Sequence, residues 1–147
     1  MKNLNKTKIL AFTLIELLVV ISIIGIILAI SIFSLQGSRQ SGRDAQRKSN
    51  LELIRSGIEL YHADCGLYPT SLGETLVGDD SNNSCLSTNI YITSLPVDPQ
   101  DPERSYLYSS DGTTYEICAA LEAQSDAKTC GGSSSCGETC NYKVINP

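Results

Sequence analysis

From Leu14 to Leu35 the chain is apolar at almost every position, interrupted by small residues and by one carboxylate, Glu16. As a helix this run would measure about 33 Å, enough to cross a hydrocarbon core of about 30 Å. Past Arg39 the pattern turns amphipathic: Leu51, Ile54, Ile58 and Tyr61 recur at helical spacing, and Leu53 and Leu60 widen the stripe. No proline occurs between Phe12 and Ala63. The pattern therefore predicts one continuous helix with an all-round apolar first half and a second half that buries one face. Gly66 is placed to cap it, and Pro69 stops it from resuming.

Beyond the helix the period changes. Residues 70–104 are rich in turn formers, and Leu95-Pro96-Val97-Asp98-Pro99-Gln100-Asp101-Pro102 can be neither regular helix nor central strand, so this stretch is expected to be irregular. Three short strands are expected at about 105–109, 115–121 and 142–145, with Asp111-Gly112 turning between the first two. Tyr115, Ile117, Ala119 and Leu121 alternate onto one face, matched by Tyr142 and Val144. These faces should pack on the Leu51/Ile54/Ile58/Tyr61 stripe. The fold class is α+β: a small antiparallel sheet laid on the C-terminal half of a long helix. Gly131-Gly132-Ser133-Ser134-Ser135 reads as a flexible tip.

Charge divides the chain. Residues 1–11 carry Lys2, Lys6 and Lys8 and no acid, whereas residues 12–147 hold 8 basic and 16 acidic side chains. So acidic a body argues against general nucleic-acid binding, which depends on neutralising phosphates. Arg39, Arg43 and Arg47 share a helix face and are expected to form a solvated basic surface. His62 is the only histidine, so no Ser-His-Asp set forms without it, and there is no phosphate-binding glycine loop. The chain reads as a structural protein and not as an enzyme.

All six cysteines, Cys65, Cys85, Cys118, Cys130, Cys136 and Cys140, follow the apolar run. An even number in a small domain beyond a membrane anchor reads as a disulfide framework facing an oxidising space. That puts the C-terminal side outside, which the lysines and arginines flanking the span leave undecided. Cys136 and Cys140 have usable zinc spacing but lack a second matched pair. Cys65–Cys85 is the one pairing singled out, tying the helix end to the loop. Strand parity sets Cys118 on the outer face and Cys140 among the core side chains, and leaves the other four unassigned. Ser34-Leu35-Gln36-Gly37-Ser38 makes a poor signal-peptidase site, so the apolar segment should be retained.

A carboxylate inside a membrane-length helix costs roughly 2.5–3.5 kcal/mol on insertion scales, so Glu16 should have a partner. The run Ala11-Phe12-Thr13-Leu14-Ile15-Glu16-Leu17-Leu18-Val19-Val20-Ile21, behind its basic leader, resembles the class III signal of type IV pilins and type II secretion pseudopilins. The resemblance implies cleavage between Ala11 and Phe12 by prepilin peptidase, N-methylation of Phe12, and Glu16 as the assembly carboxylate for the new amine of a neighbouring subunit. Ala11 stands where the family usually has Gly, and Phe33 stands near its usual helix-kinking Pro. Arg43 to Leu51 and Tyr61 to Pro69 also look like this family.

The implied organisation is a leader over 1–11, a transmembrane and assembly helix over 12–35, its amphipathic continuation over 36–65, and a disulfide-stabilised head over 66–147. The implied partners are prepilin peptidase, other copies of the chain and related pilins, an inner-membrane assembly platform, and lipid before assembly. The precursor would be a single-pass inner-membrane protein, destined for a surface or periplasmic filament. The sequence favours a subunit of a type IV pilus or pilin-like filament. The alternatives are a type II secretion pseudopilin and a monomeric anchored binding domain. Leu95 to Pro99 and Ser105 to Tyr108 look similar to the calcium-binding loop of the major pseudopilin, although Gln100-Asp101 replaces its Trp-Gly. Asp98, Asp101, Glu103 and Asp111 are the carboxylates that would serve calcium. The competing reading is a proline-stiffened acidic turn, and no other cofactor is expected.

Overall fold

The computed structural model describes residues 12–147, apart from the side chains of residues 32–34. The basic leader and Ala11 lie outside the described residues. The chain forms two compact units divided between Ser38 and Arg39. One helix, α1 (Leu14–Cys65), runs through both.

In the first unit the large apolar side chains from Leu14 to Ile30 are all exposed. The helix here is long and apolar enough to cross a membrane. Two of its serines bond to their own helix: Ser22 Oγ donates to Leu18 O at 2.8 Å and Ser31 Oγ donates to Ile27 O at 2.9 Å. Hydroxyls bonded to their own helix leave no polar group for lipid to solvate.

The second unit builds its core on α1. Leu51, Ile54, Ile58 and Tyr61 are buried, as their spacing predicts, and Cys65 continues the row. Gly66 closes the helix with a φ of 81° and donates its N–H to His62 O at 2.8 Å. A left-handed residue at this point is cheap only for glycine. Three strands, β3 (Leu107–Ser110), β4 (Tyr115–Ala119) and β5 (Tyr142–Ile145), form an antiparallel sheet in that order. Ile117 pairs with Tyr108 on one side and Val144 on the other. Tyr115, Ile117, Ala119 and Val144 pack with the helix stripe in one core.

Four expectations need correction. The region expected to be irregular contains a second antiparallel sheet, β1 (Leu76–Val77) with β2 (Ile90–Ile92), joined by Leu76↔Ile92 and Val77↔Ile90 pairing. Such short strands leave almost no periodic signal among turn residues. The connection from β3 to β4 spans Asp111–Thr114, with Ser110 paired to Tyr115, so Asp111-Gly112 is not the whole turn. Asp111 Oδ1 instead accepts from Thr113 N at 2.9 Å and Thr114 N at 2.7 Å. The glycine-serine stretch is not a loose tip: Cys130 bridges to Ser133, Ser135 bridges to Thr139, and Gly131 N donates to Glu116 Oε2 at 2.8 Å. Finally, Cys140 packs with Cys118, Ala120, Cys130 and Cys136 in a second cluster, away from the main core. Parity failed because Cys140 precedes the first residue of β5.

Gly57 shows how close the small sheet comes to α1. A Cβ at Gly57 would stand 2.6 Å from Ile92 Cδ1, and Ile92 is itself buried. Alanine is about 1 kcal/mol better than glycine inside a helix, yet here it would force Ile92 off its site. Gly57→Ala is therefore expected to destabilise the protein by about 1–3 kcal/mol through overpacking. Chemical denaturation checks this, and a more stable variant would show that Ile92 repacks freely.

Candidate functional site

Two sites carry the functional argument, one at the start of α1 and one at the foot of the head. At the first, Glu16 lies one turn into the helix and its carboxylate folds back. Glu16 Oε2 accepts from Thr13 N at 3.3 Å and from Thr13 Oγ1 at 3.1 Å, while Glu16 N donates to Thr13 Oγ1 at 3.3 Å. This is a reciprocal capping box, which satisfies donors that a helix start leaves open. The Thr-x-x-Glu spacing of Thr13 and Glu16 is the sequence signal for this cap. In the single chain, then, Glu16 is held at the positive end of its own helix, beside the exposed Phe12. A carboxylate so placed can receive a cation without rearranging its helix.

The second site overturns the expected basic face. Arg47 is fully buried. Its Nε and Nη2 donate to the two carboxylate oxygens of Asp98 at 2.8 and 3.0 Å. Its Nη1 donates to Asp44 Oδ1 at 2.7 Å and Glu122 Oε1 at 2.9 Å, and Nη2 also reaches Gln100 Oε1 at 2.8 Å. Arg43 forks onto Glu122 from outside, at 2.6 and 2.5 Å. Asp44 accepts from the backbone amides of Glu122 and Ala123 as well. Three separate parts of the chain thus meet on one guanidinium: α1, the proline-rich loop at Asp98, and the segment after β4 at Glu122. Planar bidentate donors are what make arginine suited to this.

The titration of the cluster follows from these bonds. The hydrogen bond from Arg43 holds Glu122 down to about 2, against the upward push of burial, with Arg47 helping. Burial pushes Asp44 up, but the Glu122 and Ala123 amides and Arg47 outweigh it and hold Asp44 below its usual range. Burial alone would lower Arg47, and its bonds to Asp98, Glu122 and Asp44 raise it instead. One signal for the cluster was present in the sequence. Asp44 and Arg47 extend the Leu51/Ile54/Ile58 row back along α1 at helical spacing, which places them on the buried face. Nothing near Glu122 marked it as their partner.

Two of the calcium candidates, Asp98 and Asp111, have other work. Asp98 gives both oxygens to Arg47. Asp111 caps the β3–β4 connection, whose amides hold it down to about 2. Among the described residues, Asp98, Asp101, Glu103 and Asp111 form no group with ligating atoms gathered as a metal would need. They do not fit a shared calcium site. The cysteines are all paired: Cys65 with Cys85, the pairing singled out above, then Cys118 with Cys130 and Cys136 with Cys140. Cα separations of 4.7, 6.1 and 5.2 Å are ordinary for such bridges. Pairing of Cys136 with Cys140 removes the zinc reading of that spacing. His62 stacks on Tyr68, with ring centroids 4.2 Å apart.

Comparison with known proteins covers both parts of the chain. The family model "Prokaryotic N-terminal methylation motif" matches residues 7–32. The model "Type II secretion system (T2SS), protein G" matches residues 34–133. Type II secretion system core protein G of Vibrio cholerae is 27% identical over 121 residues, covering 80% of this chain and 82% of the relative. The protein of the same name in Escherichia coli K12 is 27% identical over 115 residues, covering 74% of this chain and 79% of the relative. No solved structure matches significantly.

The Arg47 cluster predicts two outcomes. Arg47→Ala leaves buried carboxylates without their counter-charge and is expected to cost about 3–5 kcal/mol in chemical denaturation, with Arg43→Ala costing distinctly less. Glu122 and Asp44 both have lowered folded-state pKa values, so their contribution is full above the ordinary carboxylate range and is lost as pH falls toward about 2 for Glu122. Melting temperature should therefore drop as pH falls below about 4, and Glu122→Gln should flatten that dependence.

Proposed function

The chain belongs to the family of type II secretion system protein G, and from that premise we propose that it is a pseudopilin whose short filament serves protein export. The observation that carries this reading is that the family match spans the amphipathic helix and most of the head, residues 34–133. The N-terminal signal is common to the wider pilin class and does not separate a surface pilus from an export filament. The extent of the head match favours the export role instead. The protein is a structural subunit and not an enzyme, as its family is.

In the proposed pathway the precursor is anchored by the first half of α1. Prepilin peptidase cuts between Ala11 and Phe12, and Phe12 acquires a methyl group on its new amine. That amine is cationic and lies at a helix start with unpaired N–H groups. Glu16 of a neighbouring copy then exchanges its Thr13 cap for this amine as the two helices come together. Pairing offsets the desolvation of both charges, and a slip of one helical turn would leave both unpaired, so the same contact sets axial register. The heads remain outside the membrane, each fixed to its helix through Arg47. An inner-membrane assembly platform would supply the geometry for adding copies.

Three measurements test the proposal. Intact mass of the protein from its native membrane fraction should show a chain beginning at Phe12 with one added methyl, whereas a chain beginning at Met1 would overturn the processing step. Glu16→Ala should be processed and folded normally, with unchanged melting temperature of the head, yet fail to enter filaments. Incorporation of that variant at wild-type levels would remove Glu16 from assembly and favour an anchored monomer. Deleting the gene should abolish export of folded proteins. Loss of surface filaments with export intact would restore the pilus reading.

A further inference from the structure

Resting on the export reading, we propose that the free edge of β3 and the cavity beside it bind an extended segment of an exported protein, which joins the sheet as a further strand. β3 pairs with β4 and with no other strand. Among the described residues, no backbone hydrogen bond outside that ladder reaches Tyr106 to Ser110. The bond from Asp111 N to Thr114 O, at 3.2 Å, sets the phase of the ladder. Bonded residues alternate along an antiparallel pair, so the N–H and C=O of Tyr108 and Ser110 point away from β4. Sheets usually guard such an edge with a charge, a proline or a bulge. The opposite edge, on β5, carries Lys143. β3 has no charge and no proline, and its register with β4 is unbroken. An unguarded edge of this kind is a template for another strand.

Beside the edge lies a cavity of about 290 Å3. The fully buried Ile54 and Ile117 line it from the core, and the half-buried Leu72, Leu95, Tyr106 and Tyr108 complete its wall. Tyr108 OH donates to Pro69 O at 2.6 Å, and Tyr106 OH accepts from Asn50 Nδ2 at 2.9 Å. Both rings are thereby held, which keeps the wall from closing. The volume lies at the low end of ligand pockets, about 300–1,000 Å3, and suits an apolar side chain better than a free small molecule. Tyr108 offers both its outward main chain and its ring. A segment bonded to the edge would turn every second side chain toward the cavity. Main-chain bonds carry affinity without reading sequence, so one groove could serve several exported proteins.

Charge decides between occupants. No charged residue lines the cavity. Carboxylates border it: Asp111 directly follows β3, and Leu95 N donates to Glu74 O at 2.7 Å, which holds Glu74 beside the wall. Such a border favours a segment with lysine or arginine flanks. A second copy of the chain, at net charge −5, brings like charge to it.

The test follows fluorescence anisotropy of a labelled Lys-Thr-Val-Thr-Leu-Thr-Val-Thr-Lys peptide titrated with full-length protein in detergent, against detergent alone. Saturable binding at one site per chain is expected. Replacing the peptide's leucine by alanine should weaken it by about 10–100-fold, the worth of burying a leucine side chain. N-methylation of alternate amides should abolish binding for one set of positions and spare it for the other, because an added strand bonds along one edge. Ser71→Trp fills the cavity from an exposed position on its lining and should abolish binding with the melting temperature unchanged. In cells this variant should enter filaments at wild-type levels while export falls. No saturable binding, an equal response to both N-methylated sets, or full binding by Ser71→Trp would each overturn the proposal. A filament defect in Ser71→Trp would hand the groove to a second copy and overturn it too. Export that survives deletion of the gene would overturn the export reading and this partner with it. Export lost on deletion but unchanged in Ser71→Trp would overturn the groove alone.

Discussion

The head depends on one buried guanidinium. Arg47 offers five donors in a fixed plane, and the chain answers with Asp44 from its own helix, Asp98 and Gln100 from the proline-rich loop, and Glu122 from the end of the sheet. Burying that charge is costly unless every direction is satisfied, so the cluster tolerates few arrangements. Apolar contacts along Leu51, Ile54 and Ile58 drive the sheet onto the helix but are indifferent to small slides. The ionic cluster fixes where along α1 the sheet and loop come to rest.

How far the sequence reveals this differs by element. The long helix is visible because its signals agree: apolar length, the Leu51/Ile54/Ile58/Tyr61 spacing, absence of proline and the Gly66 cap. β4 and β5 are visible because Tyr115, Ile117 and Ala119 alternate and Tyr142 and Val144 answer them. The pair of strands at Leu76 and Ile90 is hidden, since two or three residues cannot show a period and their neighbours are turn formers. The burial of Arg47 is hidden for a different reason. Arginine at a helix surface is usually solvated, and its burial follows from partners far away in sequence at Asp98 and Glu122, which no local pattern connects. The same distance hides the true role of Asp98, whose surroundings resemble a metal-binding loop while its oxygens belong to an arginine.

At the other end of α1 the structure refines what Glu16 is. Read as an isolated carboxylate in an apolar run, it is an expense waiting for a partner. Paired with Thr13 it is also an ordinary helix cap, which holds it in place before any neighbour arrives. Assembly would then exchange one set of donors for a stronger one, instead of rescuing a stranded charge. This makes the step reversible in principle, because a subunit leaving the filament has its cap to return to.

The order of the bridges has its own consequence. Cys65 joins Cys85, Cys118 joins Cys130 and Cys136 joins Cys140, so every cysteine bonds to its immediate neighbour in the sequence and no loop encloses or crosses another. Among the 15 ways to pair six thiols, this is the one that a first-come rule would produce. A chain threading outward from its N-terminal end meets each correct partner before any wrong one has emerged. A simple oxidant can therefore complete the set without a shuffling enzyme to repair mistakes.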